Sequence, residues 1–270
     1  MKKNINFNYK YSSSNSERIK LIKETGFDGV FIYSQYNPQG YIPEILEQGL
    51  EIESLHLPYK LLKDGECVDS RYVNVLWLDN VETEAYVDML IREIDLAKRF
   101  NIRNLVMHVT GGNTPPPANM SGVEKVKKIV DYCEKKDINL CLENLRCLDY
   151  LDIIFKNIQS PKLKFCFDSG HANYMTKNLE NFPWEKFGEK LCCLHLNDND
   201  GSKDSHLVPF CGNINWGVLL KKILTFNNQV GLTLEVRANS DELSALSEKE
   251  YLKKCFDSLQ KIESLKDVEI

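Results

Sequence analysis

Residues 139–171, NLCLENLRCLDYLDIIFKNIQSPKLKFCFDSGH, decide the fold. Asn139–Leu145 is an apolar run of strand length, and Leu163–Asp168 is a second one. Between them Leu151, Ile154 and Phe155 fall at helical spacing. One acid interrupts each strand near its exit: Glu143 in CLENL and Asp168 in FCFDSGH. A strand–helix–strand unit predicts two parallel strands, so both acids should lie at the same end of the sheet.

The same alternation extends in both directions. Further strands are expected at Asn4–Tyr9, Gly29–Tyr33, Glu51–Leu57, Asn104–Val109, Leu191–Leu196 and Gly231–Val236, which brings the total to eight. The intervening segments carry helical signals. Gly26 is a C-cap, and Pro43 opens a short helix that ends at Gly49. Val81–Phe100 has Tyr86, Met89, Leu90, Ile94 and Ala97 on one face. Ser121 with Glu124, and Ser247 with Glu250, read as capping boxes; Pro183 starts a helix, and Asn215 caps Trp216–Phe226. An open dinucleotide-binding sheet would need a Gly-rich turn after its first strand, and YSSSNSER stands there instead. Even alternation over 270 residues predicts a single (β/α)8 TIM barrel spanning residues 1–270 as one domain. Two loops, Pro58–Asn80 and Gly111–Met120, follow strands and belong on the carboxyl-terminal face, as lids or substrate walls.

Composition narrows the function. A net charge of −5 disfavours non-specific binding to a polyanion, so nucleic acid is not the expected partner. The apolar runs are strand-sized, which predicts no membrane span, and MKKNINFNYK lacks the apolar stretch of a signal peptide, so the expected location is the cytoplasm. Nine cysteines without a CxxC pair read as reduced thiols; Cys141, Cys166, Cys192 and Cys193 lie in apolar strands as small hydrophobic residues.

The chemistry lies at the strand exits. His56, His108, His171 and His195 fall at or within three residues of a predicted strand end, and His206 follows the seventh strand. Glu143, Asp168 and Glu235 each interrupt an apolar strand, and a buried carboxylate needs a cation or a hydrogen-bond network. Arg146 and Arg237 are the only basic residues close in sequence, whereas metal ligation accounts for all three acids together. Asp168 with His171 (D-x-x-H) and Asp204 with His206 (D-x-H) can each face one site. Mixed carboxylate and imidazole donors suit Zn²⁺, Mn²⁺, Co²⁺ or Fe²⁺ rather than Ca²⁺.

As a set, HLPY (56–59), LEN (142–144), FDSGH (167–171), HLNDNDG (195–201), DSHLVPF (204–210) and GNINW (212–216) resemble the xylose isomerase-like TIM barrel superfamily. That superfamily joins sugar (phosphate) isomerases and epimerases with endonuclease IV-like enzymes of AP endonuclease family 2. The isomerase pattern implies one divalent metal (Zn, Mn or Co) on Glu143, Asp168, His195 and Glu235, with Glu143 and Glu235 as the catalytic acid/base pair. It further implies proton transfer through a metal-bound enediolate. The endonuclease pattern adds His56, His108, His171, Asp204 and His206 and implies up to three zinc ions and an abasic-site DNA substrate. YSSSNSER and SQYNPQG offer one arginine between them for DNA, so the isomerase/epimerase reading with a small-molecule sugar substrate is preferred. His171, Tyr59, Trp77 and Asn197 are the expected sugar contacts, and a homo-oligomer is compatible with the pattern. Two positions depart from it: Asn197 stands where many relatives carry a second His, and Asn215 where they tend to carry Asp.

Overall fold

Alternation of apolar strands with amphipathic helices produces a closed ring in the computed structural model, which describes residues 1–64, 66–176 and 179–267. The barrel strands are β1 (Lys3–Asn6), β2 (Gly29–Tyr33), β3 (Glu51–His56), β6 (Asn104–Met107), β7 (Asn139–Glu143), β8 (Leu163–Asp168), β9 (Leu191–His195) and β10 (Leu232–Leu234). Each pairs in parallel with its neighbours in the order β10-β1-β2-β3-β6-β7-β8-β9. The ring closes just beyond β9 through the parallel bridge Leu196–Leu234, where Leu196 N donates to Thr233 O at 2.8 Å and Glu235 N to Leu196 O at 3.0 Å. The protein is therefore a (β/α)8 barrel, as its periodicity predicts.

The barrel wall consists of α1 (Asn15–Thr25), α2 (Ile42–Glu47), α3 (Val81–Arg99), α4 (Met120–Lys136), α5 (Asp149–Asn157), α6 (Ser169–Thr176), α7 (Trp184–Phe187), α8 (Trp216–Phe226), α9 (Ser240–Ala245) and α10 (Glu248–Ser264). Their apolar stripes pack on the strands: in α3, Tyr86, Val87, Leu90, Ile94 and Ala97 are buried. Gly26 caps α1 in the left-handed region, Asn215 caps α8, and Ser247 and Glu250 form a reciprocal box on α10. Such caps contribute about 1 kcal/mol each.

One expected cap lies elsewhere. The cap of α4 is Asn119, whose side chain accepts from Gly122 N, while Ser121 sits inside the helix and donates to Asp79. The extended backbone of Asn119 (φ −150°) brings its carbonyl over the first turn, and its amide also donates to Trp77 O at 3.0 Å. That bond joins the two long loops. The first loop is more ordered than its composition implies, forming an antiparallel hairpin, β4 (Leu61–Lys63) with β5 (Glu66–Asp69), then a 3-10 turn, Tyr72–Trp77. Asn74 locks it to the second loop by exchanging two hydrogen bonds with Gly111, at 2.9 and 2.8 Å. Together the loops wall one side of the carboxyl-terminal mouth. No helix among the described residues is long and apolar enough to cross a membrane.

Candidate metal centre

Because all eight strands run the same way, their exits converge on the barrel axis. Glu143 ends β7, Asp168 ends β8, His195 ends β9, and Glu235 follows β10 by one residue. All four are buried, and one donor atom from each lies within 4.8 Å of the others. His195 Nδ1 is 3.3 Å from Glu143 Oε2 and 3.3 Å from Glu235 Oε2. His56, at the end of β3, and His108, just past β6, approach the other side of Glu143, with Nε2 at 3.4 and 3.2 Å from Oε2. These three also form a compact donor group. His171 bridges outward, its Nδ1 3.0 Å from Glu143 Oε1 and its Nε2 3.4 Å from Asp204 Oδ2, and His206 Nε2 lies 3.2 Å from the same oxygen. The structure thus gathers all nine positions on one face.

Second contacts aim these side chains. His56 Nδ1 lies 2.8 Å from Leu57 O, which turns Nε2 toward Glu143. His206 Nδ1 is anchored 3.1 Å from Glu235 O, and Tyr33 donates to Glu235 Oε1. Asn144 holds β8 by accepting from Asp168 N and donating to Asp168 O. Asn197 donates to Asp168 Oδ2 at 2.9 Å, so its amide positions a carboxylate; it is fully buried and does not line the pocket. The glycine of FDSGH is forced by that packing, since a Cβ on Gly170 would sit 1.8 Å from Asn197 Oδ1. Asp198 organises the loop bearing Asp204 and His206: it accepts from Asn199 N, Phe210 N, Ile214 N and Trp216 Nε1.

Electrostatics divide the carboxylates of the centre. Burial pushes Glu143 up, but His108 and His195 outweigh it and hold the carboxyl well below its usual range. Glu235 is likewise lowered, burial being overcome by His195 and His206. Asp168 is raised, by burial and by the nearby Glu235, Glu143 and Asp204, against the pull of His171. His206, despite burial, is lifted to about 9 by Asp204 and Glu235. Even so, Glu143 Oε1 and Oε2, His56 Nε2, both nitrogens of His195, Glu235 Oε2 and Asp204 Oδ1 are buried without a hydrogen-bond partner. Such clustered, unsatisfied donors fit a cation.

Above them opens a cavity of about 260 Å³, lined among others by Tyr59, His108, His171, Asp204, His206 and Glu235. Trp77 lies outside this lining and is 3% exposed: its Nε1 donates to Val109 O and its ring packs on Gly122 and Tyr150, so the loop that carries it turns it inward. Lys60, Arg146 and Arg237 line the cavity in addition. Sequence reading considered Arg146 and Arg237 only as ion-pair partners and passed over Lys60. Arg237 stands two residues after Glu235, and that alternation was the available signal.

Residues 19–255 match the family model for the xylose isomerase-like TIM barrel. Fructoselysine 3-epimerase of Shigella flexneri is 26% identical over 216 residues, covering 74% of this chain and 77% of that protein. Uncharacterized protein y4fM of Sinorhizobium fredii is 25% identical over 271 residues, covering 88% and 86%. Among solved structures, D-psicose 3-epimerase of Clostridium cellulolyticum H10 superposes with a TM-score of 0.77 at 14% identity, covering 98% of this chain and 99% of the other. The 3-keto-D-glucoside 4-epimerase of E. coli superposes at 0.73 and 16%, with the same coverage. At these identities the structural likeness is one of fold.

Proposed function

The chain belongs to the xylose isomerase-like TIM barrel family, and from that premise we propose that it is a divalent-metal-dependent sugar epimerase or isomerase. The observation that carries this reading is the buried set Glu143, Asp168, His195 and Glu235, whose candidate ligand atoms converge while both oxygens of Glu143, both ring nitrogens of His195 and Glu235 Oε2 lack a hydrogen-bond partner. These four would hold the metal, which when bound acts as a Lewis acid on the sugar's carbonyl and hydroxyl oxygens and acidifies the neighbouring C–H.

The chain's own groups do the rest. Glu143 and Glu235, both held ionised by imidazoles, are the bases: one removes the carbon-bound proton and the other, once protonated, returns a proton to the planar intermediate. They flank His195 from different strands, β7 and the end of β10, which suits transfer at two faces of one substrate. Tyr33 fixes the Glu235 carboxylate. His171 faces the cavity and offers a polar contact to a sugar hydroxyl, and the Tyr59 ring forms part of the wall. Lys60 and Arg237 line the same cavity, and burial, with the nearby Arg237 guanidinium, lowers the Lys60 ammonium. A cationic rim of this kind suits an anionic substituent on the sugar, such as a phosphate.

Metal analysis of purified protein, followed by parallel assays on ketoses, ketose phosphates and abasic-site DNA, tests the reading. Ketose turnover that depends on Mn²⁺, Co²⁺ or Zn²⁺ and is lost in Glu143→Gln supports it. Three zinc ions per chain together with DNA nicking would replace it with the endonuclease reading.

A further inference from the structure

Two residues below the metal centre the same strands carry sulfur. Inward-facing positions recur every second residue, so Cys141 lies beneath Glu143, Cys166 beneath Asp168 and Cys193 beneath His195. With Val106 these thiols form a buried layer of their own, separate from the main core. Barrel interiors are ordinarily filled by bulky branched residues, so a layer of thiols is a departure that packing alone does not require.

Cys192 joins the layer from below. A register shift between Phe165 and Cys166 in the β8–β9 pairing breaks strict alternation and lets neighbouring cysteines approach one point. The Sγ atoms of Cys141, Cys192 and Cys193 all lie within 4.8 Å of one another, and those of Cys141 and Cys193 are 3.6 Å apart. Thiolates bound at about 2.3 Å to one tetrahedral ion stand roughly 3.8 Å from each other, so little movement is needed to close the triangle. Cys192 also lines a cavity of about 700 Å³ at the amino-terminal end of the barrel, which gives an ion a path from solvent. Asn139 Nδ2 donates to Cys192 Sγ at 3.8 Å, and the thiol in turn donates to Asn104 Oδ1 at 3.5 Å, so two asparagine side chains fix the position of the sulfur.

We propose that Cys141, Cys192 and Cys193 form a second metal site, at the floor of the barrel, for a soft, thiophilic cation of the Zn²⁺ or Cu⁺ type. Binding exchanges thiol protons for metal–sulfur bonds, with the released protons passing to solvent. The soft donors set this site apart from the oxygen- and nitrogen-rich mouth, which suits harder ions.

Reduced protein titrated with Cd²⁺, a spectroscopic surrogate for Zn²⁺, should develop a thiolate-to-metal charge-transfer band that saturates at one equivalent. Competition with a chromophoric chelator gives the Cu⁺ affinity in parallel. The band should persist in Glu143→Gln, which disables the mouth, and in Cys133→Ser, a buried thiol outside the trio. In Cys192→Ser the affinity should fall by more than about 100-fold, beyond what loss of an outer contact alone would cost. Circular dichroism confirms that each variant is folded, and the wild-type titration is decisive without any of them. Absence of both the Cd²⁺ band and Cu⁺ binding in wild-type protein overturns the proposal, as does a band unchanged by Cys192→Ser or abolished by Glu143→Gln.

Discussion

At its carboxyl-terminal mouth the barrel gathers five imidazoles and four carboxylates; two residues lower, the same strands supply Cys141, Cys166 and Cys193. The mouth is polar, buried and poorly satisfied by protein partners, whereas the thiol layer is small and soft. One link joins them: Cys166 Sγ lies within 4.8 Å of donor atoms of Glu143 and His195, and burial pushes its thiol up. The contrast shows how parallel strands segregate chemistry by depth, since inward-facing side chains two residues apart on a strand lie in successive layers of the barrel. The mouth differs from the floor in a second respect. Its side chains are oriented by loops, through Asp198, Asn197 and Asn144, while those of the floor are oriented by the strands themselves.

The contrast can be tested most severely at Glu143. Glu143→Gln keeps the shape of the mouth but removes a base and a charge, so ketose turnover should fall by about 10²–10⁴-fold in steady-state assays. A loss of less than tenfold would break the assignment of the chemistry to this end of the barrel.

The dependence of the mouth on its loops is next. Asp198→Ala strands four donors, three of them backbone N–H groups and one the Trp216 indole. A destabilisation of about 3 kcal/mol is expected in urea unfolding, because buried donors left unsatisfied cost about 1–3 kcal/mol each. Loss of the metal-dependent stability increment should accompany it, because the loop holding Asp204 and His206 is released.

The rim gives a smaller and more selective effect. Arg237→Gln should raise KM for a phosphorylated ketose about tenfold, which is 1.4 kcal/mol of binding, and leave a neutral ketose unaffected. Equal effects on both substrates would show that Arg237 shapes the pocket without reading charge.

The smallest effect belongs to the floor end, where Glu263 pairs with Lys3 and with the N-terminal ammonium. These hydrogen bonds lower the Glu263 carboxyl from its ordinary value of 4.5. Because the folded-state value is depressed, the stabilisation is fully present above 4.5 and fades as pH falls through the lower folded-state value. Solvent screens the pair, so Glu263→Gln should cost less than about 1 kcal/mol at neutral pH and nothing in strong acid. Thermal unfolding across that range checks the sign.

The three candidate acids Glu143, Asp168 and Glu235 were legible from sequence because an acid inside an apolar strand is conspicuous and because parallel strands translate sequence position into depth; that His195 joins them was implied by the family resemblance. The ring of eight strands and the gathering of Glu143, Asp168, His195 and Glu235 follow from those two facts. Periodicity, however, reports which face a residue occupies and not which neighbour it meets. Only the packed structure turned Trp77 away from the cavity, set Asn197 against Asp168, and moved the α4 cap to Asn119. It alone brought Lys60 and Arg237 to one rim and carried Cys192 to Cys141 and Cys193 across a register shift. Each of these depends on contacts between segments far apart in sequence, and a local pattern holds no information about them until the ring closes.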